Sequence, residues 1–142
     1  HDHFEEKKSH ALGALIKKIY DAKLNDSKYV DIWGTGKPIR EWLYVEDGSD
    51  VLVKSLKLSD NNYFFNVGEN KGISIYEMAK TIAKIIDWNG EFTFDTSKPD
   101  GAEEKRVLGK FTEKNFNWSP QISLENGIST TVEWYENNIL KL

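Results

Sequence analysis

Residues whose types and spacing could do chemistry cluster at a few points of the 142-residue chain. His10 follows Ser9, the expected cap of a helix over residues 9–23. The positive end of a helix dipole disfavours imidazolium, so a histidine there would stay neutral and exchange a proton near pH 7. The competing reading is a first-turn surface histidine, and the residues alone favour it. Trp33 and Arg40 bracket the turn segment WGTGKPIR. Such a pair could offer an aromatic wall and a phosphate clamp, because a guanidinium grips phosphate through two parallel N–H bonds. A core Trp beside a solvated Arg reads the same residues equally well. The loop over 96–106 gathers Lys98, Asp100, Lys105 and Arg106 around Pro99 and Gly101. A basic, kinked loop can close over a diphosphate or merely be solvated. His1-Asp2-His3 carries metal-ligating groups, but a first residue frays, and no metal site is expected.

The elements that must position these groups follow from periodicity. In 9–23, Leu12, Leu15, Ile16, Ile19 and Tyr20 share one helical face. YVDIW at 29–33 alternates as a strand and stops at Gly34-Thr35-Gly36-Lys37-Pro38. A second strand is expected near 41–45, then a helix that opens on Glu46-Asp47 and ends near Leu58. Residues 59–62 read as a loop and 63–67 (YFFNV) as a strand closed by Gly68. Ser74-Ile75-Tyr76-Glu77 is a capping box, followed by the apolar stripe Ile75, Met78, Ala79, Ile82, Ala83 and Ile86, with Asn89-Gly90 as the stop. EFTFD at 91–95 alternates as a strand, and a short helix is expected near 111–116. Ser123 caps a last helix with Leu124, Ile128, Val132, Tyr135 and Ile139 on one face. Strands alternating with helices indicate a small α/β domain: short strand pairs packed with four to five helices, filling residues 1–142.

Composition excludes several classes. The chain has no cysteine, so disulfide scaffolds, Cys-ligated metals and thiol nucleophiles are out. A net charge of −4 gives no general reason to bind nucleic acid. No apolar run nears the roughly 20 residues that span a bilayer, so no membrane association is expected, and a cytoplasmic location fits. Arginine is scarce, and both copies, Arg40 and Arg106, fall in turn regions. The chain opens on His1 and its only methionine is Met78, so a piece of a longer protein is expected. A dinucleotide enzyme of this class needs a glycine-rich strand-to-helix turn for the pyrophosphate. Gly34-Thr35-Gly36 is only a short match, with Pro38 where a helix should begin. By itself the chain carries no complete catalytic constellation.

Read in order, the segments SHALGALIKK, WGTGKPIREWLYVED, FNVG, SIYEMAKTIAKIID, FDTSKPDG and ISLENGISTTVEWY resemble one known family. They look like the C-terminal, substrate-binding part of the extended short-chain dehydrogenase/reductases, the NAD-dependent epimerase/dehydratase family. Within it they are most similar to the branch that epimerises and then reduces GDP-4-keto-6-deoxymannose. The resemblance implies a Rossmann domain upstream of His1, carrying the glycine loop and the Ser…YxxxK set. NADP(H) would bind in that longer parent, with none held by the fragment alone, which would be inactive. It further implies a nucleotide-sugar substrate, with a GDP-sugar favoured, a homodimeric parent, and an apolar face left bare by the missing domain. By position, His10 falls on a proton donor/acceptor that also meets the cofactor. Trp33, Arg40 and Asp100 fall on substrate contacts, with Arg40 at the diphosphate. Lys18 stands where the family usually has a substrate-contacting arginine. Lys105 and Arg106 are alternatives for a phosphate-facing role, in a loop that departs from the family's usual sequence. The alternatives are a nucleotide-sugar 4-epimerase or dehydratase, or a non-catalytic binding or assembly module on this fold.

Overall fold

The computed structural model describes residues 3–5, 8–57 and 64–141. His1, Asp2 and the expected 59–62 loop lie outside the described residues, as does Leu58, the expected helix end. Among the described residues, five α-helices pack with two small sheets, and no Rossmann sheet is formed. This is the expected α/β architecture.

The first helix, α1 (Ala11–Leu24), buries Leu15, Ile16, Ile19 and Tyr20 as its spacing predicts. Its cap is His10 rather than Ser9, because the first helical bond runs from the Ala14 N–H to the His10 carbonyl. Strand β1 (Tyr29–Trp33) pairs in parallel with β4 (Glu91–Asp95), Val30 opposite Phe92 and Trp33 opposite Asp95. A parallel pair needs a long crossover, and here it contains everything from β2 to α3. The helix α3 (Ile75–Ile86) forms the capping box in full: Ser74 Oγ accepts from the Glu77 N–H, and the Glu77 carboxylate accepts from the Ser74 N–H. Met78, Ala79 and Ile82 are completely buried, so α3 is the centre of the core that α1 and α5 pack against. It stops at Asp87, in the left-handed region at φ 58°, two residues before the expected Asn89-Gly90.

The second sheet departs from the sequence reading. Strand β2 is Ile39–Glu41, flanked by antiparallel β3 (Gly72–Ser74) and parallel β5 (Glu104–Lys105). The expected strand at 41–45 is therefore displaced, because the ladder partners run out at Glu41 and Val45 already belongs to α2 (Val45–Ser55). Residues 64–67, the described part of the other expected strand, pair with no strand. An extended segment becomes a strand only where a neighbour offers N–H and C=O groups. Here the Asn66 carbonyl accepts instead from the Thr112 hydroxyl at 2.5 Å.

Asp47, 5% exposed, fixes α2 to the chain before the last helix, its two oxygens accepting the N–H groups of Gln121 and Ile122 at 3.1 and 3.0 Å. After α4 (Lys110–Phe116), Ser123 caps α5 (Leu124–Tyr135) through the Asn126 N–H. The expected apolar face holds through Tyr135 and then fails, with Ile139 48% exposed. Residues 136–140 widen into a π turn, which changes the angular step per residue and carries Ile139 off the stripe.

Candidate functional site

A cleft of about 510 Å³ opens between α1, the end of β1, the start of β2 and the loop at Asp100. His10, Lys18, Trp33, Arg40 and Asp100 all line it, although they come from four separate segments of the chain. On α1, residues at positions i, i+3, i+4 and i+7 share a face, which brings Ala11, Ala14, Leu15 and Lys18 to the cleft wall. The small side chains at Ala11 and Ala14 leave room there. His10 stands exposed at the head of the helix, its side chain making no cap bond, and the first turn holds no acidic residue. The positive helix end therefore has no carboxylate of its own nearby.

Trp33 closes β1 with more than half its surface exposed. Two ammonium groups face its ring: Lys18 Nζ at 5.4 Å and Lys98 Nζ at 5.6 Å from the centroid. Such cation–π contacts orient both lysines on the indole. Lys18 is further anchored by donating to the Asp31 carbonyl at 2.9 Å.

The turn after Trp33 is built around Asp100. Its Oδ1 accepts the Thr35 backbone N–H at 2.6 Å and its Oδ2 the Thr35 hydroxyl at 2.7 Å. That backbone bond first, and then the hydroxyl, hold the Asp100 carboxyl below the usual carboxylate range, with Lys37 and Arg40 adding attraction. Gly34 makes the approach possible: its φ is +75°, and a Cβ there would lie 2.2 Å from Asp100 Oδ1. Arg40 is oriented from both sides, Nη1 donating to its neighbour Ile39's carbonyl at 2.7 Å and Nη2 reaching the Asp100 carbonyl at 3.5 Å. The 96–101 loop thus shapes the turn and aims the arginine.

Lys105 and Arg106 are placed elsewhere. They border a smaller cleft of about 290 Å³ with Glu41, Leu43 and Gly68. The β5 ladder holds Lys105 opposite Arg40 in register. Arg106 Nε pairs with Glu104, and its stem lies over Gly72. Asp31 and the half-buried Ser9 and Trp42 also line the main cleft, and sequence reasoning missed all three. Ser9 was spent as a cap and Trp42 as a strand residue. Only the two-residue step from Arg40 to Trp42 could have hinted at a shared side. Among the described residues, no cluster of His, Asp or Glu could hold a metal ion.

A cleft with an aromatic wall, cations from two directions and an uncapped helix end suits an anionic ligand that also carries a ring. Residues 1–68 match the NAD dependent epimerase/dehydratase family. A GDP-L-fucose synthase of Sinorhizobium fredii is 38% identical over 97% of this chain and 44% of its own length. A GDP-L-colitose synthase of Yersinia pseudotuberculosis is 37% identical over 96% of this chain and 44% of its own. The crystal structure of a GDP-L-fucose synthetase from Naegleria fowleri bound to NADP superposes with a TM-score of 0.86 at 31% identity, covering 96% of this chain and 43% of that one. The chain spans less than half the length of the relatives it matches. Sequence and fold thus point the same way: the first half of the chain matches the NAD dependent epimerase/dehydratase family, and nearly all of it is similar to part of these GDP-sugar synthases.

Proposed function

We propose that this chain is the sugar-nucleotide-binding part of an NADP(H)-dependent epimerase/reductase acting on a GDP-4-keto-6-deoxyhexose. The observation that carries the reading is the convergence of Trp33, Arg40 and Asp100 on one cleft with His10 and Lys18. In this reading Arg40 and Lys18 take the diphosphate oxygens, and Trp33 forms a flat wall against the ligand. Asp100 holds the turn and the arginine in place. His10, at the open rim, gives or takes the proton on a carbon beside the keto group, the general acid–base role that histidine fills most often. Lys keeps the charge of an arginine but offers no bidentate fork, so Lys18 steers a phosphate less rigidly than Arg40.

NADP(H), when bound, would supply the hydride for the ketone reduction. The described residues form no cradle for it: the Gly34–Gly36 turn leads into a strand rather than a helix, so no helix end faces a pyrophosphate there. In this reading the cofactor sits in a Rossmann domain of a longer parent, and His10 meets it from this chain. Lys105 and Arg106 are left as rim cations outside the main cleft.

Calorimetric titration of the chain with GDP-mannose, GDP, UDP-glucose and dTDP-glucose tests the proposal. Binding that prefers the guanine nucleotides and weakens by about 10- to 100-fold in Arg40→Ala is expected. Preference for a pyrimidine nucleotide would favour a 4-epimerase or dehydratase, and no binding by the unsubstituted chain would refute the reading.

A further inference from the structure

Two residues that line the cleft each carry a buried polar atom without a partner. Ser9 Oγ and Trp42 Nε1 are each sealed from solvent and make no hydrogen bond among the described residues. Lys18, Asp100 and Arg40 of the same cleft are already paired, to the Asp31 carbonyl, Thr35 and the Ile39 carbonyl. A buried hydroxyl or indole N–H left unpaired costs free energy that nothing within the chain returns. Such an atom in a ligand cleft is explained when a ligand completes it.

The chemistry of the two groups narrows what that ligand atom is. An indole N–H can only donate, and a serine hydroxyl can donate or accept. Neither is charged, whereas the cleft already offers Arg40 and Lys18 for anionic oxygens. Ser9 adjoins His10 in the chain, and Ala11, Ala14, Leu15 and Ile75 give the same cleft apolar walls. Neutral donors in an apolar recess match neutral oxygens. Resting on the nucleotide-sugar reading above, we infer that Ser9 and Trp42 turn toward the cleft when a nucleotide sugar binds, hydrogen-bond its hexose hydroxyls and so set specificity for the sugar rather than the nucleotide.

The test compares GDP-mannose with GDP on the chain and on its Ser9→Ala and Trp42→Phe variants. Each substitution is expected to weaken GDP-mannose by about 3- to 10-fold, the worth of one neutral hydrogen bond, and to leave GDP within about twofold. Ser9→Ala, which only removes the orphan oxygen, should leave the Tm of the unliganded chain unchanged or raised. A second readout avoids dependence on folding of the Trp42 variant. Of the five tryptophan indole N–H resonances in a ¹H–¹⁵N spectrum, one should move downfield with GDP-mannose and not with GDP, and should be missing in Trp42→Phe. Unchanged GDP-mannose affinity in both variants would overturn the inference, as would equal losses for GDP and GDP-mannose. A fall in unliganded Tm for Ser9→Ala would also overturn it, because the hydroxyl would then have a partner of its own. Failure of the unsubstituted chain to bind either ligand would instead refute the functional reading on which this one rests.

Discussion

Asp100 and Thr35, 65 positions apart, are joined by both oxygens of one carboxylate, one to the backbone N–H and one to the hydroxyl. That double bond ties the Pro99 loop to the turn between β1 and β2, and through the Asp100 carbonyl it also fixes Arg40. The carboxyl sits below its usual range because its charged form receives these bonds. A group whose folded pKa is lowered stabilises the fold above its ordinary value and loses that contribution as pH falls through the lowered one. The tie should therefore hold at neutral pH and fade only below the ordinary Asp value of about 3.9. The Thr35 amide shift, followed by NMR from pH 7 to 2, should titrate below that value in the native chain. In Asp100→Asn the titration should be absent.

Gly34→Ala should damage the same contact from the other side. A left-handed backbone costs a non-glycine residue about 1–2 kcal/mol, and the new Cβ would collide with Asp100 Oδ1. Chemical denaturation should show a loss of at least that size. A stability equal to the native chain would mean that the turn relaxes without cost.

Arg40→Ala should weaken GDP-mannose by about 10- to 100-fold, the usual worth of hydrogen bonds to a charged partner. Arg40→Lys should recover only part, since an ammonium cannot pair bidentately. Titration calorimetry at two salt concentrations checks this, because a charge contact weakens with ionic strength.

Asp47 is structural. Replacing it with Ala would take the acceptor from the part-buried Gln121 and Ile122 amides, at up to about 1–3 kcal/mol for each donor that water does not reach. Denaturant unfolding should show the loss, while nucleotide-sugar affinity measured well below the midpoint stays near that of the native chain.

The outer side of α2 is apolar and uncovered. Val45, Leu52 and Leu56 recur at helical spacing with Val53 beside them, Leu56 is 83% exposed, and Phe64 is 98% exposed. Bare apolar surface of this kind drives association. Light scattering should show concentration-dependent self-association of the chain, reduced in Leu52→Glu/Leu56→Glu. Monomeric behaviour at high concentration would contradict the expectation.

Local chemistry determined much of this protein before any packing. Ser74 and Glu77 cap α3, its stripe repeats at helical spacing, and alternation marks 29–33 and 91–95, because caps and periodicity are properties of a few neighbouring residues. The two turn regions holding Arg40 and Asp100 were legible for the same reason. Tertiary structure decided the rest. Whether 41–45 or 39–41 forms the strand depends on where β3 and β5 offer partners, and residues 64–67 stay unpaired for want of one. The π turn that exposes Ile139 was invisible to a fixed helical period. The site followed the same division. Residue types named His10, Trp33 and Arg40, but only the fold gathered them with Lys18 and Asp100 into one cleft and set Lys105 and Arg106 on another. It also sealed Ser9 Oγ and Trp42 Nε1 beside them. Burial and unmet hydrogen bonding depend on contacts between distant segments, and no local pattern in the chain encodes them.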